Sequence, residues 1–328
     1  MSSKPRHQTQ ILGLVRQGTW FYHLLKKGIS PARHMQKYFF LPVYFRYIIA
    51  VCLLFLFMLF TPLLAFSGQS TNLSWKELAQ GLEYTSIALQ GTVPTEVAIL
   101  RIDPTFFTFR AYSVSEEGGQ ALSLRQWAKR YRISAVINAS MYLPDYATST
   151  GYLRQDNHQN NAHIASKYQS FFMAEPKERQ KDLPTVSLCD KDQQQCTAPI
   201  NEYRTVVQNF RIITQDRRIV WQKKNSPTAI SAVAQDGAGH ILFLHSRGPI
   251  SVPSFAEQLL ALPLDIRATM YTEGGVQAGL YVETPAFTRL WGGRHAVDFL
   301  SNVQIHAPLP NVLGIVPRDS AQIQPSQP

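Results

Sequence analysis

An α+β fold is what this 328-residue sequence predicts: a mixed, largely antiparallel β-sheet core flanked by helices and preceded by one N-terminal transmembrane helix. Three observations lead there. Strand-forming runs dominate after residue 80, several of them are joined by short polar turns, and an uncharged run of twenty residues separates all of this from a basic N-terminus. With 45% hydrophobic and only 16% charged residues, the chain is no disordered tail or linker.

Residues 1–46 carry eight basic side chains and no acidic one, so the remaining 24 basic and 22 acidic residues nearly cancel. Most of the net charge of +10 therefore belongs to the N-terminus. A main domain this close to neutral lacks the clustered Lys and Arg that track a polyphosphate backbone, which argues against a nucleic-acid partner. The run YIIAVCLLFLFMLFTPLLAF, residues 47–66, is long enough at 1.5 Å per residue to cross a hydrocarbon core of roughly 30 Å. Basic residues on its N-terminal side place that side in the cytoplasm by the positive-inside rule, and the bulk of the chain in the periplasm or outside. Ala65 and Ser67 would suit a signal-peptidase site, but the apolar run is longer than a signal peptide's, so an uncleaved anchor in the inner membrane is expected. Cys189 and Cys196, seven positions apart in a polar loop, are candidates for a disulfide in such an oxidising compartment.

A linker is expected over 67–80, one domain over 81–318, and a disordered tail over 319–328. VAILRID and FFTFRAYSV, split by Asp103–Pro104, read as two strands. Ser123 starts a helix whose Leu124, Trp127, Ala128 and Tyr131 share one face. SAVIN follows as a buried strand that delivers Asn138 to its end. TVVQNFRIIT with RIVWQ, and TAISAVA with HILFLHS, flank polar turns as hairpins do. Ser254 and Glu257 have capping-box spacing for a helix running to Leu262, before Pro263. RATMYTE, GLYVE and NVLGIVPR complete the strands.

The nucleotide-binding P-loop, HExxH, GxSxG and dinucleotide fingerprints are absent. His158 and His163 lack ligand spacing for one helical face. Two strand ends carry polar groups beside small residues: Asn138, Ser140 and Tyr142 in INASMY, and Glu273, Gly274 and Gly275 in YTEGGVQAGLYV. A Gly-Gly pair lets backbone N–H groups approach an anion, and a carboxylate one residue earlier can move a proton or bind a cation. Taken alone, an EGG turn is more often an ordinary hairpin and a strand-end Asn more often a turn residue.

The order of NASMY, STGYLRQD, FRIITQDRRIVW, SPTAISAVAQDGAGHILFLHS, a helix near Phe255, YTEGGVQAGLYV and NVLGIVPR resembles the phosphodiester glycosidase family, over roughly residues 81–318. Its bacterial branch, associated with exopolysaccharide, is the most similar. The resemblance implies a hydrolase of sugar-phosphate diesters in the cell envelope, with an envelope glycan or sugar phosphate as substrate. It implies sites at Asn138, Ser140 and Tyr142, at Thr228 and Ala229, and at Glu273, Gly274 and Gly275. In that reading Glu273 is acid, base or cation ligand, Asn138 and the glycine amides hold substrate oxygens, and His245 assists the leaving group. Asp145 and Asp156 are candidates for a second acid.

Three positions depart from the family pattern. Ser140 stands where glycine is usual, Pro227 where a related enzyme has arginine before Thr228, and Glu273 where the family has aspartate. Arg247 is the candidate replacement for the missing cation. No cofactor follows from the motifs, although a divalent cation at Glu273 is compatible with them. These departures keep a second reading open, a membrane-anchored module that binds envelope glycan without cleaving it.

Overall fold

The computed structural model describes residues 47–52, 73–90, 95–177, 183–192, 200–221, 227–292 and 307–318. The chain divides into two units, residues 1–69 and 70–328. In the first, residues 47–52 are helical. The rest of the expected span, the basic segment, Cys196 and the C-terminal tail lie outside the described residues. Among the described residues no helix is long and apolar enough to cross a membrane.

Three antiparallel sheets build the second unit. The largest has β1 (Lys76–Ala79), β2 (Leu82–Leu89), β3 (Thr95–Ile102), β13 (Ile241–Ile250), β12 (Thr228–Asp236), β14 (Ile266–Gly274) and β11 (Arg211–Ile213), in that spatial order. A five-stranded sheet runs β16 (Phe287–Gly292), β15 (Gly279–Thr284), β5 (Ala135–Asn138), β17 (Asn311–Pro317) and β4 (Phe107–Ser113). The other five-stranded sheet runs β7 (His158–Asn161), β6 (Leu153–Gln155), β10 (Tyr203–Asn209), β8 (Ser170–Pro176) and β9 (Val186–Asp190). β1 falls inside the stretch expected to be linker, because Leu78 inserts into the core and its neighbours pair with β2.

Strand alternation explains the layering. On β3 and β13, Ala98, Leu100, Ile241 and Phe243 enter a core shared by all three sheets. Val97, Ile99, Leu242 and Leu244 face the other way, onto α2 (Val252–Ala261). With both faces covered, these strands read as continuous apolar runs, and each buried Leu, Ile or Phe contributes on the order of 2 kcal/mol. The helix α1 (Leu124–Tyr131) covers the outer face of the β5 sheet through Leu124, Trp127 and Ala128.

Most predicted elements occupy their expected places, and three differ. α1 begins at Ser123 with a capping box closed by Gln126. α2 is capped by Ser251 rather than Ser254, since the Ser251 hydroxyl accepts the Ser254 N–H at 3.3 Å and Pro253 fits the first turn, where no donor is needed. TVVQNFRIIT is not one hairpin strand: it splits at Phe210 into β10 and β11 of different sheets, and the partner run RIVWQ shrinks to one bridge, Ile213 to Ile219. The Glu-Gly-Gly turn is no hairpin either. β14 and β15 belong to different sheets, so this turn carries the chain between layers.

Candidate functional site

The crossing from β14 to β15 gathers most of the expected residues. At the end of β14 the ladder slips: Ala232 faces Tyr271 and Ser231 faces Glu273, leaving Thr272 as the extra residue of a β-bulge. Bulges of this kind re-aim a side chain at a strand end. Gly275 follows at φ +71°, a backbone state in which a Cβ is strained. A Cβ on Gly274 would collide with the Tyr271 hydroxyl, so the pair of glycines serves both conformation and close packing. Thr228 and Ala229 lie alongside: Ile230 pairs with Gly274, and Thr228 Oγ1 is 3.6 Å from where a Gly275 Cβ would stand.

Asn138 fixes the far side of this crossing. Its Nδ2 donates to the Gln277 carbonyl and its Oδ1 accepts the Gly279 N–H, both at 2.9 Å. Ser231 Oγ accepts the same N–H at 2.9 Å and lies 3.1 Å from His245 Nδ1. Asn138, Ser231 and His245 are all buried. The family resemblance implies a substrate contact for Asn138, but both ends of its amide are engaged with backbone, which makes it a positioning residue. His245 has no exposed surface. Burial, aided by the charge of Arg247 and opposed by a backbone bond to Gly292, holds its pKa down to about 3. A neutral, enclosed imidazole cannot hand a proton to a leaving group, and Arg247, half-buried on β13 beside it, does not line the hollow described next.

That hollow, of about 450 Å³ and open to solvent, is lined by Met141, Tyr142, Leu143, Pro144, Tyr146, Glu273 and Gln277. Glu273 is its only charged lining residue among those described. Burial of the carboxyl, partly countered by the Gly274 N–H donating to Oε1 at 2.9 Å, raises its pKa to about 7. The Gly274 amide is thereby used within the protein rather than left for an anion. Tyr142 hydrogen-bonds the Gln277 side chain, and burial together with the Glu273 charge raises the pKa of its hydroxyl.

Ser140 is buried and is not among the residues that line the hollow. Its Oγ is 2.7 Å from Ser149 Oγ, and its N–H donates to Asn311 Oδ1 at 3.0 Å. The side chain found where the family favours glycine is thus absorbed by a buried polar network.

Neither second-acid candidate lines the hollow. Asp145 is exposed and closes a turn, taking the Thr148 hydroxyl at 2.6 Å and the Thr148 and Ala147 N–H groups at 3.0 Å each. Those bonds, led by the hydroxyl's, lower its pKa. Asp156 belongs to another sheet's edge, paired with Arg204 at 3.0 Å and Arg110 at 3.6 Å. Burial works against its charge, but bonds from Gln155 and Arg204 and the charge of Arg110 outweigh it and lower the pKa. Cys189 is disulfide-bonded, Cys52 is free, and Cys196 lies outside the described residues.

Among the described residues no group of three His, Cys, Asp or Glu side chains converges, so a single carboxylate with an amide and a phenol is a poor cage for a resident divalent cation. Tyr271, Ser231, Gln277 and Tyr146 were not legible as site residues. Only the apolar and aromatic run MYLPDY, placed just after a strand end, carried a hint of the lining.

The family model described as "Phosphodiester glycosidase" matches residues 131–316. Among solved structures, a hypothetical protein from Synechocystis superposes with a TM-score of 0.53 at 12% identity, covering 76% of this chain and 64% of that one. This chain therefore spans less than two thirds of that protein's length. The catalytic domain of zebrafish N-acetylglucosamine-1-phosphodiester alpha-N-acetylglucosaminidase, auto-inhibited by its pro-peptide, superposes with a TM-score of 0.51 at 12% identity, covering 76% of this chain and 85% of that one. At such identities the likeness is one of fold. No curated protein matches the chain.

Proposed function

Because the chain belongs to the phosphodiester glycosidase family, we propose that it hydrolyses glycosidic phosphodiesters of envelope or exopolysaccharide glycans, with Glu273 as the residue that carries the reaction. One observation supports this above the rest: a carboxylate at the end of a bulged strand, tuned by burial to about 7, is the only charged group among the described lining residues of an open hollow. In such a reaction water attacks the anomeric carbon and gives a proton to Glu273, the bond between that carbon and the phosphate oxygen breaks, and a phosphomonoester departs. A phosphomonoester has a second pKa near 6, so it leaves without needing a strong acid. The larger demand is for a base, and a carboxylate with a pKa near the working pH suits it. This accounts for a hollow with one carboxylate where most glycosidases use two.

Gln277 and Tyr142 orient the sugar hydroxyls or the attacking water. Asn138 and Ser231 hold the crossing that carries Gln277, and His245 props Ser231 from within. The test is release of free sugar and phosphomonoester from a chromogenic glycosyl phosphodiester by the purified full chain. Glu273→Gln should lower turnover by about 10² to 10⁴, and equal turnover by the two proteins would remove Glu273 from the mechanism.

We also place the chain as a single-pass anchored protein of the inner membrane, held by residues 47–66, with residues 70–328 in the periplasm or outside the cell. The basic segment 1–46 and the disulfide at Cys189 support that reading. Protease added to spheroplasts should digest the main unit, whereas protection of that unit would reverse the topology. A second reading, a module that binds envelope glycan without cleaving it, draws support from the absence of any Lys or Arg among the described lining residues. Glycan binding by wild-type protein with no turnover of any glycosyl phosphodiester would favour it.

A further inference from the structure

The hairpin that forms one wall of the hollow carries an aromatic residue at its tip in an uncommon backbone state. Tyr146 stands at its tip with φ +55° and 65% of its surface exposed. A bulky residue at positive φ is uncommon, and such positions concentrate where a site holds a side chain in one place. The turn is pinned from several directions. Tyr146 N–H donates to the Leu143 carbonyl at 3.0 Å, the Asp145 carboxylate takes the next two N–H groups, and Asn160 bonds the Ala147 carbonyl at 2.9 Å and the Ser149 N–H at 2.7 Å. The Tyr146 ring lies 5.6 Å from that of Tyr142, tilted by 44°. Tyr142 in turn touches Gln277 and feels the charge of Glu273. The two rings thus extend from the carboxylate to the lip of the hollow.

We propose that the Tyr142–Tyr146 pair is a stacking platform for the pyranose ring of the substrate, and that Tyr146 sets how tightly that ring is held. The identification of the ligand as a saccharide rests on the proposed hydrolase function. The chemistry of the wall favours a neutral ring over a phosphate: Met141, Leu143 and Pro144 complete an apolar side, Gln277 and Glu273 supply polar groups for hydroxyls, and no cation stands among the described lining residues. A volume of about 450 Å³ suits a ligand of that size. A ring held rigid before binding gives up little conformational freedom on contact, which is why preorganised tyrosines recur in binding surfaces. In this arrangement Asp145 is a positioning residue for the platform.

The test uses the full chain in detergent, titrated with methyl α-glycosides of glucose, galactose and N-acetylglucosamine, with diethyl phosphate as a sugar-free control. Binding is read by protein fluorescence and by chemical shifts. At least one glycoside should bind. Tyr146→Ala should weaken it about tenfold, as loss of one ring contact does. Tyr146→Phe should stay within about twofold, since the ring matters and the hydroxyl does not. Tyr146→Asn, a residue more at ease at positive φ, should melt no lower than wild type while losing affinity as Tyr146→Ala does. Asp145→Asn, which keeps the carbonyl acceptor for both N–H groups, should bind better than Asp145→Ala.

Equal glycoside affinity in wild type and Tyr146→Ala, or no glycoside binding by wild type, would overturn the platform. Glycoside binding that depends on Tyr146 with no hydrolysis of any glycosyl phosphodiester would sink the hydrolase function and leave the platform standing. Turnover with an unchanged KM in Tyr146→Ala would do the reverse.

Discussion

Replacing Glu273 with glutamine should stabilise the protein in alkali and leave its stability in acid unchanged. Burial moves this carboxyl from its ordinary 4.5 to about 7. Below 4.5 both the folded and unfolded chains hold the proton, and the group costs nothing. Between 4.5 and 7 the unfolded chain releases its proton while the native state keeps it, so stability falls as pH rises. Above 7 the native state bears the full cost of a buried charge, about 3 kcal/mol at about 1.4 kcal/mol per pH unit. Glutamine has the same shape, keeps an oxygen for the Gly274 N–H, and never ionises. Thermal melts of the full chain in detergent, followed by near-ultraviolet circular dichroism, should therefore superimpose for the two proteins at pH 4. At pH 9 Glu273→Gln should melt higher by roughly 6 °C or more, taking about 2–4 °C per kcal/mol for a domain of this size. Superimposed melts at pH 9, or a variant that is the less stable of the two, would show that the carboxylate ionises freely and that its burial has been misjudged.

Other expectations are as specific. His245, held neutral with a pKa near 3 against an ordinary 6.5, takes no proton in the native state where the unfolded chain does, so wild type should lose stability as pH falls below 6.5. Acid melts of His245→Gln should show a shallower loss. Gly274→Ala should destabilise by more than 1 kcal/mol through collision with the Tyr271 hydroxyl, and Tyr271→Phe should recover part of that loss in a double-mutant cycle by urea unfolding. Asn138→Ala leaves the half-buried Gln277 carbonyl without its donor, which should cost about 1 kcal/mol and lower kcat by shifting the crossing, both measurable on the purified variant.

The strands were legible because burial on both faces writes itself as unbroken runs such as VAILRI and AISAVA, and α1 because its cap and its apolar face agree. α2 lies where its pattern puts it, but its cap is Ser251 rather than Ser254, because both serines sit three residues before a polar partner and only Pro253 distinguishes them. At the site, the ends of β5, β12 and β14 could be expected to meet from the order of the motifs. What they do on meeting could not. Asn138 and His245 look chemical in a sequence, and only burial and bond partners reveal them as supports. Tyr146 is an ordinary turn tyrosine until a carboxylate from a strand more than a hundred residues away lines the same hollow, and Gln277, four residues past that carboxylate, is unremarkable until the hollow brings it beside Tyr142. The bulge at Thr272 has no signature in the sequence at all, since it is a slip of register between two strands rather than a property of either.

The most direct measurement is the pH profile of kcat/KM for hydrolysis of a glycosyl phosphodiester by the full chain. Glu273 acting as a base should give a rate that climbs tenfold per pH unit below about 7 and levels above it, with the climb abolished in Glu273→Gln. A rate that is flat from pH 5 to 9, or that falls as pH rises through 7, would contradict the assignment.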